Sequence, residues 1–153
     1  MSRKNTQIVP QGNVNVLLIS PFEKDSSDLC EILGQSGWQQ HDARTKREAL
    51  EFLRDNPTPI VICESELADG TWKDVLSEIA ALESPPALVV TSRLADDALW
   101  AEVLHLGGFN VLSKPLDTKE VMHVVSYGGM LWKRQWELPQ NFAQSRASHA
   151  SRA

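Results

Sequence analysis

Short runs of Val, Ile and Leu alternate along the chain with longer segments whose apolar residues recur at helical spacing. The runs cover residues 14–20, 38–41, 60–64, 87–92 and 109–113. Near-continuous apolar runs of this length mark strands buried on both faces, as the interior of a parallel sheet demands. Helical periodicity predicts helices near residues 26–33, 45–55, 71–82 and 96–106, and a last one from Asp117 to about Trp136. The alternation makes five βα units, and therefore an α/β fold in which helices cover both faces of one five-stranded parallel sheet.

Local punctuation supports these boundaries. Thr45 with Glu48, and Asp117 with Glu120, have the spacing of helix-capping pairs. Gly34, Gly37, Gly70, Gly107 and Gly108 fall at stops and turns, while Pro57, Pro59, Pro85 and Pro86 precede the third and fourth strands, where they end helices without breaking a ladder. Gly128 and Gly129 lie inside the last helix, where each costs on the order of 1 kcal/mol relative to Ala, so a kink or break is expected there. On the helix over 96–106, Leu99, Val103 and Leu106 form the expected core stripe, with Trp100 and Leu104 beside it; Val121, Met122 and Val125 do the same on the last helix.

Composition narrows the options. With 153 residues, 42% of them hydrophobic, the chain fits a single core over residues 13–138, flanked by polar tails over 1–12 and 139–153 that are expected to be mobile. A net charge of −5 speaks against a nucleic-acid surface, which needs clustered Lys and Arg. No apolar stretch approaches the roughly 18 residues that span a bilayer. Cys30 and Cys63 sit in apolar segments without metal-ligand spacing, which predicts buried free thiols in a reducing, cytoplasmic setting.

In an open parallel sheet, chemistry collects at the carboxyl ends of the strands. The residues there are Ser20, Pro21, Phe22 and Glu23 after the first strand, Glu64 and Glu66 after the third, Thr91 and Ser92 after the fourth, and Lys114 after the fifth. A phosphate-cradling loop of a flavodoxin-like cofactor protein would want glycine after the first strand. The segment from Ser20 to Asp25 has none, which places that reading last.

Three stretches carry a family resemblance: Phe109-Asn110-Val111-Leu112-Ser113-Lys114-Pro115, the run from Ala87 to Ser92, and Pro59 to Glu64 followed by Leu67-Ala68-Asp69-Gly70. Over roughly residues 14–127 the chain resembles the receiver domain of bacterial response regulators. The resemblance implies a flavodoxin-like sheet with strand order 2-1-3-4-5, a cis Lys114–Pro115 peptide bond and a place in two-component phosphorelay signalling. It also implies phosphate-contact roles for Thr91 and Lys114, a phosphoacceptor role for position 64, an Mg²⁺-holding acidic pair at positions 21 and 22, and a rotamer-switching aromatic at position 111.

Here the chain departs from the family. Position 64 is Glu, positions 21 and 22 are Pro21 and Phe22, and position 111 is Val111. Mg²⁺ wants carboxylate and water oxygens, which proline and phenylalanine do not supply, so no metal or other cofactor is expected. Glu64 is one methylene longer than aspartate and reaches roughly 1.5 Å further towards Lys114, which predicts a direct ion pair. Without phosphate, Thr91 is expected to cap the loop before the fourth helix.

The expectation is a stand-alone pseudo-receiver, not an enzyme, acting by protein contacts with a sensor histidine kinase or an output protein. A working phosphoacceptor that uses Glu23, Glu66 or Asp69 as a displaced acidic site is the alternative. Trp100, Leu104, Trp132 and Trp136 are the interface candidates, and a homodimer through the fourth helix, fifth strand and fifth helix is the corresponding assembly.

Overall fold

The computed structural model describes residues 14–34 and 36–136. Five parallel strands build the sheet: β1 (Val14–Ile19), β2 (Trp38–Ala43), β3 (Ile60–Glu64), β6 (Ala87–Ser92) and β7 (Asn110–Ser113). Their spatial order is β2-β1-β3-β6-β7, the expected flavodoxin-like order. Between β3 and β6 a small antiparallel ribbon, β4 (Glu66–Leu67) with β5 (Gly70–Thr71), precedes the third helix; the apolar pattern had not marked it. The helices are α1 (Glu23–Leu33), α2 (Lys46–Asp55), α3 (Trp72–Ile79), α4 (Asp97–Leu106) and α5 (Thr118–Trp136).

Alternation along the central strands sends successive side chains to opposite faces. Leu17 and Ile19 of β1 and Val61 and Cys63 of β3 join α2, α3 and α4 in one core layer. Val16, Leu18, Ile60 and Ile62 join α1 and α5 in the other. Both layers are apolar, and this explains why the inner strands β1, β3 and β6 read as near-continuous apolar runs, whereas the edge strand β2 over 38–43 is largely polar.

Side chains fix the helix ends. Thr45 accepts the Glu48 N–H, while the Glu48 carboxylate reaches back to the N–H of Arg44 instead of closing a box on Thr45. Thr71 and Asp74 form a reciprocal capping box that starts α3. Asp96 caps α4, and Gly107, at φ 105°, ends it in the left-handed conformation. Asp117 accepts the Glu120 N–H at 2.9 Å ahead of α5.

Three expectations change. α5 runs without a break through Gly128 and Gly129. A Cβ at Gly128 would collide with Ile60 Cδ1, and one at Gly129 would lie 2.5 Å from Trp38 Cη2, so these glycines permit close packing of an intact helix on the sheet. Leu106, the last residue of α4, is exposed, whereas Val103 is fully buried. Cys63 is buried as expected, but Cys30 faces solvent on the outer side of α1.

Candidate functional site

Strand order reverses at β1, with β2 on one side and β3 on the other, so the crevice sits where β1 and β3 end. Ser20 follows β1, Glu64 ends β3 beside its register partner Thr91 on β6, and Lys114 follows β7 through a cis Lys114–Pro115 bond. All of these side chains converge. The Lys114 Nζ donates to Glu64 Oε1 at 2.5 Å. Thr91 Oγ1 donates to the same oxygen at 3.3 Å, so the Thr91 hydroxyl faces the site and does not cap the loop before α4. That capping falls to Ser92, which accepts the Leu94 N–H, and to Asp96.

A second carboxylate, which the sequence reading passed over, completes the arrangement. Asp25 lies in the first turn of α1, 6% exposed, and its Oδ2 is 3.0 Å from Lys114 Nζ. Ser20 Oγ donates to that oxygen at 2.7 Å and accepts the Phe22 N–H at 3.0 Å. The ammonium is thus held between two buried carboxylates, each with a hydroxyl donor of its own. Its third neighbour is the Phe22 ring, whose centroid lies 4.8 Å from Nζ. In the sequence Asp25 stands just ahead of the helix expected over 26–33, where an acid is common on an exposed surface.

Pro21 contributes its carbonyl, which accepts a bond from Arg44 Nη2 at 2.6 Å and ties the β1–α1 loop to the end of β2. The receiver resemblance implies Mg²⁺ at this point, and the residues present do not fit it. Positions 21 and 22 offer no carboxylate, and the two carboxylates that do face the crevice are engaged by the Lys114 ammonium. Among the described residues no three His, Cys, Asp or Glu side chains gather as a set that could hold a metal ion.

The acids of the displaced-site reading do not meet. Glu23 and Glu66 are exposed. Asp69 accepts the backbone N–H groups of Lys46 and Arg47 at 2.8 and 3.0 Å, capping α2 from the β4–β5 turn. Those two bonds, that from Lys46 first, hold its carboxyl below the usual range. Burial pushes the Cys63 thiol far up, and the adjoining Glu64 carboxylate adds to the shift, which makes Cys63 an inert core residue. Val111 is packed in the layer under α2, α3 and α4, with no ring to swing.

The interface candidates divide. Trp100 and Leu104 are 48% and 39% exposed on α4. Trp132 is instead buried at 8%, its indole N–H directed at the Ser84 carbonyl at 3.5 Å, so it closes the lower edge of the core and presents nothing to a partner. Trp136 ends α5, and its side chain lies outside the described residues, as do the tails over 1–12 and 139–153. Among the described residues no helix is long and apolar enough to cross a membrane.

The structure superposes on the signal receiver domain of an HD domain-containing protein from Pseudomonas fluorescens with a TM-score of 0.76 at 21% identity, over 89% of this chain and 100% of that one. It matches the beryllofluoride-activated NtrC4 receiver domain dimer with a TM-score of 0.71 at 19% identity, over 77% of this chain and 98% of that one. The fold is that of response-regulator receiver domains. In sequence the receiver-like chain is 30% identical to the response regulator protein PilR of Pseudomonas aeruginosa over 112 residues, 71% of this chain and 25% of PilR. It is 22% identical to the photosynthetic apparatus regulatory protein RegA of Cereibacter sphaeroides over 138 residues, 90% of this chain and 75% of RegA. The chain spans about a quarter of the length of PilR and of the transcriptional regulatory protein ZraR of Escherichia coli. No family model matches the sequence.

Proposed function

We propose that this chain acts as a receiver module of two-component signalling whose phosphorylation site is locked, so that it signals through protein contacts and not through phosphoryl transfer to residue 64. The observation that carries the reading is the 2.5 Å contact between Lys114 Nζ and Glu64 Oε1. The lysine that would meet an incoming phosphoryl group is already satisfied by the side chain at the acceptor position. Phosphoryl transfer rests on positioning and on cations that neutralise the equatorial oxygens. Here the cation is spent on Glu64 and Asp25, and Pro21 and Phe22 bring no metal.

A carboxylate held against Lys114 and Thr91 reproduces part of the charge of a phosphorylated aspartate and keeps the domain in one signalling state. Partners in this reading are a sensor histidine kinase or an output protein, reached through the exposed Trp100 and Leu104 of α4. A homodimer through α4, β7 and α5 is the alternative occupant of that face; the beryllofluoride-activated NtrC4 receiver domain is itself a dimer. The reading with a displaced acidic site has weaker support, since Asp69 is engaged in capping α2.

Incubation with acetyl phosphate and Mg²⁺, followed by intact-mass measurement, tests the proposal. No phosphoryl adduct is expected on the wild-type chain or on Glu64→Asp. An adduct on the wild type overturns the locked reading, and an adduct on Glu64→Asp alone overturns the weight given to Pro21 and Phe22.

A further inference from the structure

At the end of the sheet opposite Glu64, two clefts adjoin. One, of about 410 Å³, lies between α3 and the end of α4, with Leu76, Ile79 and Leu106 in its wall. The other, of about 310 Å³, lies between the start of β7 and the last turns of α5, with Phe109, Leu131 and Gln135 in its wall. Both are bordered by Pro85, Pro86 and Gly107, so they make one groove past the amino ends of β6 and β7. Its charged lining residue, Lys73, is paired with Glu102, so the groove offers no free charge. Leu106 and Leu131 are nevertheless 47% and 37% exposed there, an apolar surface without a cover among the described residues.

We infer that the segment 138–143 of this same chain docks in the groove as a strap, with Leu138 and Phe142 as its apolar anchors. The chain is described to residue 136, and Leu131 and Gln135 of the last turns of α5 already line the groove, so the segment leaves the helix at the groove's rim. Pro139 cannot extend the helix, and the residue before a proline is pushed to an extended conformation, so the chain turns off the helix axis at Leu138. Phe142, six residues beyond Trp136, reaches as far as about 21 Å, or two helix diameters of about 10 Å each. From Leu138 to Ser145 the chain carries no charge, which matches a groove with none to offer. The tail before β1 fits less well: it carries Arg3 and Lys4, and it joins a strand that β3 separates from β6. A short tether gives an effective concentration on the order of millimolar, so a contact too weak to hold a free peptide closes the groove in cis. This gives a place to the first residues of a tail that composition alone predicts to be mobile, and it stands apart from the locked reading of Glu64 and Lys114.

Nuclear magnetic resonance of the full ¹⁵N-labelled chain reads this directly. In the wild type the heteronuclear Overhauser effects of residues 140–143 are expected to match those of α5. Phe142→Ser is expected to shift the amide signals of Gly107, Gly108 and Leu131 across the groove. Leu106→Lys, at a half-exposed position, is expected to lower the Overhauser effects of 140–143 to those of a free chain. Both patterns are expected at every protein concentration. Free-chain values for 140–143 in the wild type, shifts in Phe142→Ser confined to its sequence neighbours, or unchanged values in a folded Leu106→Lys overturn the inference. Shifts that appear only at high concentration also overturn it, since they assign the groove to a second copy. Should Leu106→Lys fail to fold, Phe142→Ser decides alone, because it alters no residue of the two core layers.

Discussion

Asp25 and Lys114, 89 residues apart in sequence, form an ion pair of 3.0 Å in the crevice at the carboxyl ends of β1 and β3. With Glu64 on the other side, the pair turns a site of the receiver type into a filled one. The stability of this arrangement is strongly asymmetric. Taking one member out of a buried ion pair leaves an uncompensated charge and costs about 3–5 kcal/mol, whereas a surface change stays within about 0.5 kcal/mol.

Lys114→Ala is therefore expected to lower the urea-unfolding free energy by about 3–5 kcal/mol in metal-free buffer. Asp25→Asn, which keeps a hydrogen-bonding oxygen and leaves Glu64 as partner, is expected to cost about 1–3 kcal/mol. Equal and negligible losses in the two variants would contradict the buried arrangement.

Much of this was legible in the chain. The five strands follow from the alternation of strand and helix patterns, and their order and the pairing of Lys114 with Glu64 from the receiver resemblance, whereas Thr91, expected to cap the loop before α4, turns into the site instead. Asp25 was not legible, because the lysine it pairs with arrives from the far end of the sequence, and an acid at a helix start by itself reads as a surface residue. Trp132 misled in the opposite sense: its partner, the Ser84 carbonyl, sits in a loop that no periodicity describes. Gly128 and Gly129 showed only their propensity cost, since the Ile60 and Trp38 side chains that demand them lie across the core.

Those glycines give a second test. In an open helix Gly→Ala gains about 1 kcal/mol. At Gly128 the new methyl meets Ile60 and Phe109 in a packed core, where overpacking costs about 1–3 kcal/mol. Gly128→Ala is expected to be destabilising by thermal or urea unfolding, and more so than Gly129→Ala, whose obstacle is the half-buried Trp38 at the sheet edge.

The two cysteines are expected to separate by reactivity. A thiol reagent such as dithionitrobenzoate should label Cys30 in the native protein, while Cys63, fully buried and with its thiol pushed far up, should react only on unfolding. Fast native labelling of both would contradict the packing of β3.

Asp69 predicts an acid limb in stability. Its folded carboxyl lies below the ordinary aspartate value of about 3.9, held there by the N–H groups of Lys46 and Arg47. A depressed folded value means the stabilisation is complete above the ordinary value and is lost as pH falls through the lowered one. Nuclear magnetic resonance titration should find this carboxyl titrating late on acidification, and Asp69→Asn should flatten the pH dependence of unfolding in that range. An unshifted titration would remove the cap on α2.

The most direct test of the locked site is a calorimetric titration of the wild-type chain with beryllofluoride in the presence of Mg²⁺. With Lys114 held by Glu64 and Asp25, and Pro21 and Phe22 at the metal positions, no saturable heat is predicted. Saturable, Mg²⁺-dependent binding of beryllofluoride would contradict the account.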